Sequence, residues 1–339
     1  MTGAAMEREP LIRAFLAEAG WGDAGRMPLG ADWSTRRYER LHGSGGTAIL
    51  MDAPAPWTHQ VAPFVRVCGL LRALDLSAPA ILAADAENGL ALTEDFGGML
   101  FADLLDRGEP AEPLYRLALD VLVHIHRNFD PSTSLRPFDR ALFLHEVALF
   151  GEMGVPALAG RPLDPAAAAA LHAAWSEVLT PGLAVPGSLL LRDYFPGNIM
   201  DLPGRPGIRR CGLLDVQDAG IGPISYDVMS LLEDARRDVP EELKQAMVER
   251  YLAAMPDLDR AAFLDSFAVM GGIRHARILG RLAEIVAANP AAPQRRFLPR
   301  VWRQFHVKLA EPVLAPVKRW VQTHVPDNAL DRILGVEPK

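Results

Sequence analysis

Hydrophobic residues Leu11, Ile12, Phe15 and Leu16 recur at helical spacing and predict an amphipathic helix over residues 7–19. Two short apolar runs, 38–41 and 47–51, flank Gly43-Ser44-Gly45-Gly46 and predict a β-hairpin. Residues 61–74 predict a second helix. Residues 79–84 and 90–93 predict two further strands, joined through Glu87-Asn88-Gly89. After Asp95-Phe96-Gly97-Gly98 the pattern turns helical, at 101–107, 113–128, 139–150 and 165–179. Pro181-Gly182 and Pro186-Gly187 predict a break. Apolar runs at 188–191 and 211–214 read as strands, and Gly220-Ile221-Gly222-Pro223 as a turn. Helices resume at 227–234, 241–255, 260–287, 298–309 and 317–324.

A β-rich first part followed by a mainly helical remainder predicts an α+β fold in two lobes: residues 1–95 as a small N-lobe and 96–339 as a large C-lobe. A chain of 339 residues is long for one compact core and suits that division. The net charge of −7 and pI near 5.7 argue against a nucleic-acid or anionic-membrane binder, although Arg295, Arg296 and Arg300 form a local basic cluster. Two cysteines, Cys68 and Cys211, exclude a disulfide framework, form no zinc spacing with histidines and fit a reducing cytoplasm. Residues 1–10 lack the apolar stretch of a signal peptide, and the longest apolar runs fall short of a membrane span. The expectation is a cytoplasmic protein acting on a small molecule, with no nucleic-acid, membrane or obligate protein partner.

The candidate chemistry lies in Leu191-Arg192-Asp193-Tyr194-Phe195-Pro196-Gly197-Asn198 and Leu213-Leu214-Asp215-Val216-Gln217-Asp218. Phosphoryl transfer needs one group to orient a nucleophile and oxygen donors for the magnesium that bridges the phosphates. Asp193 suits the first task, and Asn198 and Asp215 suit the second. Each has a plainer reading: Asp193 as a turn residue capping backbone amides, Asn198 as a turn or strand-edge residue, and Asp215 as partner of a buried arginine such as Arg192. Alternation along a strand sends Gln217 to the same side as Asp215. Asp218 either supports the metal ligands, contacts substrate, or caps the next turn. Asp227 is expected to cap its helix. His124 and His126, two apart on a helix, read as structural residues rather than joint metal ligands. Arg36 and Arg37 either grip a phosphate or form a solvated surface pair. Glu94 and Asp95 flank the connector, where an adenine would meet backbone groups.

These residues resemble the H-R-D-x-x-x-x-N and D-F-G signatures of kinase-like folds, and more closely the aminoglycoside phosphotransferase superfamily. Within it, several stretches resemble the anomeric N-acetylmuramate/N-acetylglucosamine kinases of cell-wall recycling. They are Ser34-Thr35-Arg36-Arg37-Tyr38, Ile49-Leu50-Met51-Asp52-Ala53-Pro54, Thr93-Glu94-Asp95-Phe96-Gly97, Asp215-Val216-Gln217-Asp218-Ala219, Gly222-Pro223-Ile224-Ser225-Tyr226-Asp227 and Ile273-Arg274-His275. The resemblance implies a bilobal kinase-like fold, ATP and Mg²⁺, and transfer of the γ-phosphate to the anomeric hydroxyl of an N-acetylated amino sugar. It implies Asp193 as the base, Asn198 and Asp215 as metal ligands, and Arg36, Arg37, Glu94, Asp95 and Phe96 around the nucleotide. Gln217, Asp218 and Arg274 would face the sugar.

Leu191 stands where the motif has His, and Met51 where a protein kinase has its phosphate-binding Lys. The predicted helix 61–74 offers no Glu to pair with such a lysine, so Arg36 or Arg37 is expected to supply the charge. Two alternatives stand beside this reading. One is an aminoglycoside or small-alcohol phosphotransferase, whose polycationic acceptor would use Glu233, Asp234, Asp257, Asp259 and Asp265. The other is a nucleotide-binding pseudokinase module.

Overall fold

The computed structural model describes residues 3–30 and 36–335, so Ser34 and Thr35 of the first resemblance stretch lie outside the described residues. Two compact units form: Met1–Val121 with Pro196–Ala219, and Leu122–Phe195 with Gly220–Lys339. The division expected at residue 95 thus falls inside the helix Ala111–Asn128 instead. Strand pairing is the reason. Met99–Leu100 pairs with Ile199–Asp201, which pairs with Cys211–Leu213, and this small antiparallel sheet joins the later segment to the first unit.

The first unit is built on five antiparallel strands, β1 (Gly25–Leu29), β2 (Arg37–Gly43), β3 (Gly46–Asp52), β4 (Ile81–Asp85) and β5 (Leu90–Glu94), in the order β1-β2-β3-β5-β4. The β2–β3 hairpin closes with Gly43 opposite Gly46, as its glycines predict. β1 is an addition to the predicted set. It is an edge strand with exposed residues on both faces, so no alternation marks it, and the edge tolerates the missing N–H of Pro28. The helix Gly3–Glu18 buries Ile12, Phe15 and Leu16 against Leu41, Ala48, Leu50, Leu90 and Leu92 of the sheet. Arg8 fixes that helix by donating to Asp52 at 2.8 Å and to the Asn88 carbonyl at 2.7 Å.

The second unit is organised around the helix Arg260–Ala288, whose buried side chains run along most of its length. Helices Arg140–Leu149, Pro165–Gly182, Ser225–Leu232 and Leu298–Leu309 pack on it. The break predicted at Pro181-Gly182 comes just after that pair, at residues 183–186. Pro181 sits in the last turn, where it forfeits a single helical hydrogen bond, and Gly182 lets the helix end lie flush on Val269. The predicted Gly220–Pro223 turn is instead a strand, antiparallel to Gly187–Leu190. Residues Arg140–Ala159 are long and apolar enough to span a membrane by composition, but Phe143, Val147, Phe150 and Leu158 are buried in this core.

That segment meets the long helix through two glycines. A Cβ on Gly280 would lie 2.9 Å from the Leu149 carbonyl oxygen and 3.0 Å from Phe150 Cα, and one on Gly154 would lie 2.8 Å from Gly280 Cα. On an open helix, Gly→Ala gains about 1 kcal/mol of propensity. Here overpacking against backbone opposes it by about 1–3 kcal/mol. Gly280→Ala is therefore expected to lower the melting temperature by a few degrees in thermal denaturation. An unchanged or higher value would refute the close packing.

Candidate active site

The strand Gly187–Leu190 leads directly into Leu191-Arg192-Asp193. Arg192 turns the backbone through the left-handed region, with φ +74°. This turn aims consecutive amides inward, where strand pairing no longer serves them. The Leu191 N–H donates to Asp227 Oδ2 at 2.5 Å and the Arg192 N–H to Asp227 Oδ1 at 3.0 Å. The Asp193 N–H donates to the Leu191 carbonyl at 3.0 Å. Asp193 itself is half-buried.

Asp227 therefore does not cap its own helix. The residue before that helix is Ile224, with no side-chain cap, and the Asp227 carboxylate, 1% exposed, serves the loop instead. Buried amides need an acceptor, and a carboxylate with two oxygens takes both. Burial pushes the Asp227 pKa up to about 7, against the two amides that lower it. Asp193 also raises it and Arg274 lowers it.

Asn198 and Asp215 are set side by side in the first unit. Ile199 pairs with Leu213, and the Leu214 N–H donates to the Asn198 carbonyl at 3.0 Å, so both residues emerge from the same end of one ladder. Asp215 is also left-handed, φ +58°. Its partner is Arg36, not Arg192: Arg36 Nη2 lies 2.6 Å from Asp215 Oδ1. Gln217 Nε2 donates to the same oxygen at 3.0 Å, in keeping with the shared side expected of 215 and 217. Burial acts against the Arg36 charge, but Tyr38, Asp215 and Asp218 outweigh it and hold the guanidinium above its ordinary pKa. Burial likewise pushes Tyr38 up to about 12. Arg36 is 8% exposed, so it is no solvated surface charge. Arg37, half-buried, opens β2 opposite Asp52.

This donor set fits magnesium. Mg²⁺ takes one or two protein oxygens and completes its shell with water and phosphate. A carboxylate and an amide oxygen from adjacent positions suit it, and the Asp215 side chain keeps 31% exposure. Among the described residues, no group of three or more His, Cys, Asp or Glu forms an all-protein metal cage.

The connector residues are engaged within the first unit. Asp95 Oδ1 accepts from Arg40 Nη2 at 3.1 Å and from the Gly97 N–H at 2.9 Å, and its Oδ2 is ion-paired 2.7 Å from Arg40 Nε. Burial works to raise its pKa, but Arg40 and that amide hold it below the usual carboxylate range. Glu94 pairs with Arg205 and accepts from the Ala80 N–H at 3.2 Å. The Phe96 ring lies 5.1 Å from the Arg205 guanidinium carbon. These side chains fix the connector backbone. Met51, 2% exposed, is opposite Tyr38, and the chain contains no lysine before Lys244. The permanently cationic side chains of the first unit are therefore all arginines.

In the second unit Arg274 is 2% exposed, with its charge felt at Asp227 and Asp234, so the structure places it behind the loop. His126 is structural: burial lowers its pKa to about 3, and Nδ1 is 2.6 Å from the Tyr251 hydroxyl. The acidic set proposed for a polycationic acceptor disperses. Glu233 is buried 2.5 Å from Lys308, Asp234 is buried and accepts from the Arg236 N–H, and Asp259 caps a helix. The arginine cluster is spent on structure, Arg295 on the Pro290 and Leu334 carbonyls and Arg300 on Asp238.

Glu146 was not anticipated. It is 4% exposed and pairs with Arg192 at 2.9 Å. Its signal in the sequence is a carboxylate, beside His145, in the mainly apolar stretch from Phe143 to Phe150, where a buried charge needs a partner.

The raised pKa of Asp227 has a measurable consequence. Between about pH 4 and pH 7 the folded protein holds a proton that the unfolded chain has released, so this group's contribution to stability falls as pH rises through that window. In Asp227→Asn the contribution is absent. The difference in melting temperature, variant minus wild type, is expected to rise from pH 4.5 to pH 7.5. A difference that does not vary with pH would contradict the buried carboxylate.

Comparison with known proteins identifies the family and the fold. The profile of the phosphotransferase enzyme family (APH) matches residues 26–264. The N-acetylmuramate/N-acetylglucosamine kinase of Caulobacter vibrioides is 37% identical, with 94% of this chain and 97% of that one covered. The protein of the same name from Pseudomonas aeruginosa is 33% identical over 88% of this chain and 89% of its own. Among solved structures, the choline kinase LicA from Streptococcus pneumoniae superposes with TM-score 0.61 at 11% identity, covering 91% of this chain and 99% of that one. Aminoglycoside 2'-phosphotransferase-IIIa in its GDP complex does so with TM-score 0.59 at 14% identity, over 89% and 98%. At such identities the structures establish the fold, and the family match and the relatives establish the lineage: the chain belongs to the phosphotransferase enzyme family.

Proposed function

We propose that the chain is an ATP-dependent kinase that phosphorylates N-acetylmuramate and N-acetylglucosamine at the anomeric C1 hydroxyl, in the cytoplasmic recycling of cell-wall sugars. The observation that carries the acceptor is the near-full-length similarity to relatives named for these two sugars. The C1 position rests on the sequence resemblance. Two buried free thiols, Cys68 and Cys211, support a reducing compartment.

In this reading Asp193 accepts the proton of the sugar hydroxyl as its oxygen bonds to the γ-phosphorus. The bond between that phosphorus and the β–γ bridging oxygen breaks, and its electron pair leaves with ADP. Asp227 holds the loop so that Asp193 is oriented without reorganisation at the moment of transfer. Asn198 and Asp215 would hold magnesium, whose charge would offset the negative charge that develops on the phosphates. Arg36, lacking any lysine rival in its unit, serves the phosphates. The backbone of Glu94-Asp95-Phe96 meets the adenine, and Gln217 and Asp218 orient the acceptor. Arg274, buried, sets the electrostatics behind the loop rather than touching sugar.

The aminoglycoside reading is weakened by the pairing and burial of Glu233 and Asp234. The pseudokinase reading draws on the Arg36–Asp215 ion pair, which already neutralises the carboxylate a metal would use.

An ADP-release assay over N-acetylmuramate, N-acetylglucosamine, an aminoglycoside and choline, with product NMR, decides among them. The expected result is turnover with the two sugars at least tenfold above the others, and phosphate on C1. Turnover confined to the aminoglycoside or choline would overturn the acceptor. Nucleotide binding without turnover on any of them would favour the binding module. Arg36→Met is expected to raise KM for ATP tenfold or more while changing KM for the sugar less than threefold. Equal effects on both constants would remove Arg36 from the phosphate role.

A further inference from the structure

We propose that Glu146 is a positioning residue for the catalytic loop, acting through Arg192, and that Arg277 is its second counter-charge. The proposal rests on the reading of Asp193 as the base.

Glu146 projects from the helix Arg140–Leu149 into the interior of the second unit and is 4% exposed. Its Oε1 receives Arg192 Nη2 at 2.9 Å and lies 3.5 Å from Arg277 Nη1 on the helix Arg260–Ala288. Arg192 is thus held at both ends. Its backbone N–H is bound by Asp227 from the helix Ser225–Leu232, and its guanidinium by Glu146. It also carries the left-handed backbone, φ +74°, immediately before Asp193. A β-carbon makes that conformation unfavourable, so surrounding contacts must impose it. A planar guanidinium on a buried carboxylate is a directional tether that a flexible ammonium would not provide. The pair therefore fixes the direction in which the chain presents Asp193, using elements remote from it in sequence.

This tether is separable from general stability. Arg192→Met removes it while leaving Glu146 paired with Arg277, so no buried carboxylate is stranded. Glu146→Gln keeps shape and an acceptor oxygen but removes the charge. In both variants, amide hydrogen exchange of peptides covering 188–195 is expected to quicken at least threefold, with peptides from 260–288 unchanged. The turnover number is expected to fall tenfold or more, with KM for ATP and for sugar changing less than threefold. The double variant Arg192→Met/Glu146→Gln is expected to lose no more turnover than the worse single variant, since both act through one contact.

Unchanged exchange in the loop peptides overturns the tether. Quickened exchange with turnover within twofold of wild type overturns its positioning role. Losses that multiply in the double variant show that the two residues act independently, which also overturns it. The exchange measurement needs no substrate. A wild-type protein inactive on both sugars therefore counts against the sugar-kinase reading, while the exchange result decides the tether separately.

Discussion

The buried carboxylate of Asp227 is the constraint on which the loop geometry depends. It accepts two consecutive amides, from Leu191 and Arg192, at the point where the strand Gly187–Leu190 ends. Each such amide left unpaired would cost about 1–3 kcal/mol. The left-handed turn at Arg192 adds roughly 1–2 kcal/mol more. Without an acceptor these costs would unwind the turn, and Asp193 would have no fixed direction. A carboxylate held this way is itself expensive, which its raised pKa expresses, so placing the Asp193 side chain costs stability.

The same economy recurs in arginine–carboxylate pairs. Arg36 meets Asp215, Arg40 meets Asp95, Arg205 meets Glu94, and Arg192 meets Glu146. Lysine is nearly absent from the chain and wholly absent before Lys244, so the usual flexible point charge is replaced throughout the first unit by a rigid planar one. Met51 therefore has no lysine in its unit to stand in for it, and the proposed phosphate role falls to an arginine, Arg36. Arg36 has a defined resting partner in Asp215, the carboxylate assigned to the metal.

Much of this was legible in the sequence. The hairpin 37–52, the switch from strand to helix after residue 95, and the Asp193, Asn198 and Asp215 spacing were all written in periodicity and turn chemistry. What was hidden depended on long-range pairing. The edge strand Gly25–Leu29 carries no alternation because exposed residues fall on both its faces, and Gly220–Pro223 reads as a turn until its partner strand is known. Asp227 looked like a helix cap because local rules see only its own helix. Glu146 and Arg36 found partners 46 and 179 residues away, a separation no spacing rule spans.

The central claim is that Asp193 carries the proton in phosphoryl transfer to an amino sugar. The most direct test is single-turnover transfer from ATP to N-acetylglucosamine by Asp193→Asn, with nucleotide affinity measured alongside. The account predicts a chemical step slowed by roughly 10²–10⁴-fold, with ATP affinity within threefold of wild type. A transfer rate within tenfold of wild type would contradict it.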